Sequence, residues 1–142
     1  MSTIRRIATL AAVMAAISSP AGAQDALDPV GVSFGAVTFS FYCASCHGDG
    51  GKGDGEGAAH LSIAPADLTL LAQNNDDVFP TERVAAAIDG RAEVTGHVDV
   101  AMPPWGRLFA HELSEFPEGT VQNAMIKRRI DHLIAYLQSI QE

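Results

Sequence analysis

The sequence predicts an all-α fold, a small helical domain whose clearest helices lie at its two ends, and three observations point to it. From Val32 to Cys46, the residues Val32, Gly35-Ala36, Phe39 and Tyr42-Cys43 recur at three- and four-residue intervals, the helical period. From Val121 to Ile140, Ile126, Ile130, Leu133-Ile134, Leu137 and Ile140 fall along one stripe of a longer helix. Between these stretches, glycine- and proline-rich segments interrupt any regular element, and no internal repeat is present.

The chain opens on Arg5-Arg6, an apolar run from Ile7 to Ile17, and Ser18-Ser19-Pro20 before Ala21-Gly22-Ala23. This is the layout of a secretory signal peptide cleaved after Ala23. The run of 11 residues is short of the ~20 that span a bilayer as a helix. Residues 24–142 then form one domain of 119 residues with seven basic and 17 acidic side chains, a formal charge of −10. Such an acidic chain does not fit nucleic acid, which calls for a basic stripe. With only Lys52 and Lys127 as lysines, electrostatic steering would run from acidic patches to a basic surface on the partner. No later stretch is apolar enough to insert stably in a membrane.

Asp28-Pro29 leads into the first helix, at whose C-terminal end lies Cys43-Ala44-Ser45-Cys46-His47. A C-x-x-C-H run is the attachment signature of a c-type haem. Its thiols add to neighbouring vinyl groups as thioethers, and the histidine that follows offers a neutral imidazole to one axial face of the iron. In an oxidising compartment the same cysteines also suit a thioredoxin-like thiol–disulfide pair, although no βαβ pattern surrounds them.

Gly48 to Gly57 is too rich in glycine for a regular element and reads as a loop bent closely around a haem edge. It is neither a P-loop, because Gly53 and not Ser or Thr follows Lys52, nor an EF-hand, because Asp49, Asp54 and Glu56 do not fit that spacing. Pro65 to Leu71 reads as a turn into a short helix, and Asn74 to Asp77 as a polar break. Thr81 is a candidate cap for a helix bearing Val84, Ala87 and Ile88 on one face and stopped by Gly90. Arg91 to Ala101 has no clear period. Ala101-Met102-Pro103-Pro104-Trp105-Gly106 reads as extended, because prolines break helices and interior strands. Thr120 is a candidate cap for the last helix.

An iron held by one histidine takes a sixth ligand or leaves a site open for chemistry. The candidates in residues 24–142 are Met102, Met125, His60, His97, His111 and His132. Met125 borders the apolar stripe of the last helix and suits core packing. His132 suits an edge position there, and His60 and His111 lie in loop-like or polar sequence. His97 is the nearest rival. Met102 is favoured: Pro103-Pro104 pre-set the backbone that delivers a weak thioether ligand, and the 55 residues from His47 suffice to pass round a porphyrin.

These features together resemble the class I c-type cytochromes of bacteria, across nearly all of residues 24–142. The resemblance implies a cytochrome c-like fold wrapped around one covalently bound haem. It implies that Gly35 and Phe39 pack against Leu133 and Tyr136. It also implies that the Pro65 carbonyl accepts the Nδ1–H of His47. Arg107 to Gly119 departs from the family as a long loop. Export unfolded, with haem attached afterwards, is implied too. Together with the poor twin-arginine surroundings of Arg5-Arg6, it favours a Sec-type route to the periplasm. The expected function is that of an electron carrier, not an enzyme, either diffusible or as a subunit of an oxidoreductase. It would exchange single electrons with periplasmic or membrane redox proteins through iron held by His47 and Met102. The alternatives are a haem enzyme or ligand sensor with a labile sixth ligand, and a haem-free thiol oxidoreductase.

Overall fold

The computed structural model describes residues 27–90 and 102–142, and every regular element among them is helical. The expected signal segment and His97 lie outside the described residues. Five α-helices lie among the described residues: α1 (Pro29–Tyr42), α2 (Ala44–His47), α3 (Thr81–Asp89), α4 (Trp105–Glu112) and α5 (Thr120–Ser139). Short 3-10 turns at Glu56–His60, Leu68–Leu70 and Gln73–Asn75 punctuate the segment between α2 and α3.

The start of α1 is set by Asp28, whose carboxylate accepts hydrogen bonds from the Val30 and Gly31 amides at 3.1 and 3.0 Å. Pro29, which has no N–H to satisfy, takes the first helical position. The expected continuous helix to Cys46 is two pieces, because the backbone turns at Cys43 (φ −116°, ψ −37°) before the single turn of α2 resumes.

The molecule is organised by the pairing of α1 with α5. At their crossing a Cβ on Gly35 would collide with the His132 carbonyl and come within 2.7 Å of the Tyr136 Cβ, so only glycine lets the backbones approach. One turn on, the Phe39 ring lies 5.1 Å from that of Tyr136, tilted at 48°, with Leu133 buried beside them. The expected Gly35–Phe39 against Leu133–Tyr136 contact is therefore present. α3 and α4 pack against one another and against α5, adding Val84, Ile88 and Phe109 to a core built from the α5 stripe together with Phe39 of α1 and Ala44 of α2.

Four local expectations are corrected. Thr81 and Thr120 do not cap: each is the first helical residue, after Pro80 and Gly119, and neither helix has a side-chain cap. The segment Arg107 to Gly119 is not a long loop, because α4 occupies it as far as Glu112. Trp105 and Gly106 are helical, since Pro103 and Pro104 lie ahead of the first turn, where proline disrupts nothing. The end of the glycine stretch coils into the 3-10 turn from Glu56. Gly90, by contrast, stops α3 in the left-handed conformation (φ 59°) as expected.

Candidate functional site

Cys43 closes α1, its amide bonded to the Phe39 carbonyl at 2.8 Å, and its own carbonyl accepts from Cys46 and His47 at 3.1 and 2.9 Å. The five-residue motif is thus one tight turn hung from the end of the central helix pair. Both cysteines are free and half-buried. Burial, and then the nearby Cys46, pushes the Cys43 thiol up to about 12. Cys43 is therefore a neutral thiol at physiological pH, the opposite of the lowered thiol that thiol–disulfide exchange requires.

The glycine loop fastens the motif from behind. The Gly53 and Gly55 amides donate to the His47 and Cys46 carbonyls at 2.7 and 3.2 Å. A Cβ on Gly55 would strike the Ser45 and Ala44 carbonyls, which is why this run is glycine-rich. Farther along, the Leu68 amide donates to the Gly51 carbonyl at 2.7 Å, drawing residues 65–68 alongside His47. The C-terminus clamps the same segment: Gln141 donates to the Leu68 carbonyl and accepts from the Ala72 amide, and the Glu142 amide donates to the Thr69 carbonyl.

Here a one-residue correction arises. The carbonyl that meets His47 Nδ1 is that of Ala66, at 3.1 Å, and not that of Pro65. The Pro65 carbonyl instead abuts Gly53, 2.5 Å from where a Cβ would stand. A carbonyl can only accept, so Nδ1 carries the proton and Nε2 keeps its lone pair. Burial lowers the His47 pKa, the Ala66 bond opposing it in part, so the imidazole is neutral. A neutral ring with a fixed tautomer is the form that binds a metal.

Met102 is half-buried and packs against the core that Cys43 also borders, with Leu68, Leu71, Phe79 and Trp105 forming further partly exposed apolar surface on it. Gly90 backs the Met102 segment: a Cβ there would lie 2.7 Å from Pro104 Cα. The other candidates stand apart. His60 and His111 are exposed, Met125 is half-buried on α5, and His132 stacks on Phe34 with ring centres 5.6 Å apart. Among the described residues no three His, Cys, Asp or Glu side chains gather to hold an ion by protein donors alone. No described helix is long and apolar enough to cross a membrane.

Beside the motif is a cluster that the sequence did not reveal. The Tyr42 hydroxyl donates to Glu112 at 2.9 Å, and Arg129 donates to the other Glu112 oxygen. The Tyr42 ring meets Trp105 and Phe109 edge-on, and the Arg129 guanidinium lies over the Phe109 face. The sequence does carry a signal for α4 itself, though not for the pairing: Trp105, Leu108-Phe109 and Glu112-Leu113 repeat at helical spacing. Burial raises the Glu112 pKa, but the Arg129 and Tyr42 hydrogen bonds and the Arg129 charge outweigh it and leave the carboxyl below its usual value. A depressed carboxyl stabilises the fold above its unfolded pKa and loses that contribution as pH falls through the folded one. The stability gap between wild type and Glu112→Gln should therefore be widest near neutrality. It should close as pH drops below about 4.3, the ordinary glutamate value, as read by thermal melts at several pH values.

Comparison with protein-family models, with curated proteins and with solved structures finds no match. The donor chemistry nonetheless fits a covalently held haem. Two thiols stand three residues apart at a helix end, a neutral imidazole keeps Nε2 free, and a thioether on a second segment borders the same core.

Proposed function

We propose that the chain is a monohaem c-type cytochrome that carries single electrons in the periplasm after removal of its first 23 residues. The observation that carries this reading is the Cys43-x-x-Cys46-His47 turn with His47 Nδ1 tied to the Ala66 carbonyl. Cys43 and Cys46 would fasten the porphyrin, and His47 Nε2 and Met102 Sδ would hold the iron. When bound, the haem iron supplies the one-electron ferric–ferrous couple. The protein's part would be to hold both of these side chains still, so that little moves when an electron passes. For His47 that restraint comes from the Ala66 carbonyl and the glycine loop, and for Met102 from Pro103, Pro104 and the end of α3 at Gly90. Met102 would offer a neutral thioether in an apolar shell, which would favour the less charged ferrous state more than a second imidazole would. The acidic surface suits donors and acceptors with a basic docking face, and such docking should weaken as salt rises.

The reading is tested by replacing Met102. The wild type should show the weak absorption band near the red end that marks a Met–iron bond, and it should not bind carbon monoxide when reduced. Met102→Ala should lose the band and gain carbon monoxide binding. A wild type that binds carbon monoxide readily would favour an enzyme or sensor with a labile sixth ligand.

A further inference from the structure

Helix α1 carries no Asp, Glu, Lys or Arg, and neither does the chain beyond it as far as Gly48. One face of α1, with Gly31, Gly35 and Phe39, is buried on α5. Helices that are apolar all round are normally covered on every side. The opposite face of α1, however, exposes Val30, Phe34, Val37 and Phe41, at 60, 58, 55 and 79%, with Leu27 at 38% just ahead of the helix. Their spacing alternates three and four residues (27, 30, 34, 37, 41), the narrow seam by which one helix meets another. Phe34 is already held in place by its stack on His132.

We propose that this seam is a homodimer interface, in which α1 of one molecule packs antiparallel against α1 of a second copy. Three considerations select a second copy. With a net charge of −8, two chains repel wherever carboxylates face each other, and α1 is a surface free of them. At ~200 Å² per phenylalanine and somewhat less per valine or leucine, the five exposed fractions come to roughly 500 Å², so two seams would bury ~1,000 Å², the lower limit for a specific interface. A seam that meets its own copy supplies on both sides the complementary apolar spacing that a twofold interface demands. The antiparallel sense follows from Asp28 at the N-terminus of α1: it holds the two carboxylates at opposite ends and opposes the helix dipoles. A lipid surface is the poorer occupant, because interfacial helices flank a wide apolar face with Lys and Arg, and α1 has neither. The inference does not depend on haem.

Sedimentation velocity on the purified protein, with the far-ultraviolet spectrum as a check of folding, tests it. The wild type should shift from monomer to dimer as its concentration rises toward roughly 100 µM, as expected of an interface at the small end of the range. The shift should occur at lower concentration in ~1 M salt, where charge repulsion is screened. Val37→Glu and Phe41→Glu change side chains that the monomer leaves in water, so both should fold and remain monomeric. A wild type that stays monomeric throughout, or a dimer that both variants retain, would overturn the proposal. So would a monomer that co-sediments with neutral phosphatidylcholine vesicles through the same residues, which would assign the seam to lipid.

Discussion

Gly35→Ala should destabilise the protein by about 3 kcal/mol, the upper end of what an added methyl group costs in a packed interface. In an ordinary helix interior the same change stabilises by roughly 0.5–1 kcal/mol, so even the sign is informative. The methyl group would meet the His132 carbonyl and the Tyr136 Cβ, and a helix backbone cannot yield as the tip of a side chain can. Relief requires α1 and α5 to part, which would withdraw Phe39 from Tyr136 and loosen the end of α1 from which Cys43 hangs. Denaturant unfolding of wild type and variant checks it. An unchanged or higher midpoint would contradict the close crossing of the two helices.

Phe109→Ala should cost about 3–5 kcal/mol, as expected for deleting a wholly buried aromatic ring. Phe109 has no exposed surface, and its ring touches Tyr42, Trp105 and the Arg129 guanidinium, thereby joining α1, α4 and α5. Against the 5–15 kcal/mol that ordinarily holds a domain together, that loss is large. Phe109→Leu, which keeps most of the volume, should recover much of it. The contrast between the two in thermal melts separates loss of packing from loss of the cation–π contact. A Phe109→Ala protein as stable as wild type would mean that α4 is not docked as described.

What the sequence conveyed well was whatever rests on long periodicity. The α5 stripe and the α1 face follow from repeats over many turns, and local detail does not disturb them. The Gly35–Phe39 against Leu133–Tyr136 crossing was implied by the resemblance to class I c-type cytochromes and not by periodicity. The failures occur where a single residue has two structural uses. By sequence Pro103-Pro104 is a breaker within an extended segment, yet a proline pair is equally at home ahead of a helix, and α4 begins directly after it. Thr81 and Thr120 have capping chemistry, but Pro80 and Gly119 hold the cap positions and the threonines fall inside the first turn. The acceptor for His47 moved from Pro65 to Ala66 because a carbonyl's direction depends on how the loop turns, which the close approach of Gly53 to Pro65 determines. The Tyr42–Glu112–Arg129 group joins residues 70 and 17 positions apart, and no local pattern announces such a pairing.

The central claim is that Cys43 and Cys46 hold one haem covalently. Its most direct test is the pyridine haemochrome spectrum and intact mass of the protein, made in a periplasm equipped for cytochrome c maturation and analysed after denaturing chromatography. The predicted result is a thioether-type spectrum and a mass higher by one haem, both absent from the Cys43→Ser, Cys46→Ser double variant. A wild-type protein that emerges from denaturation at the mass of its polypeptide alone, with no thioether-linked haem, would contradict the account.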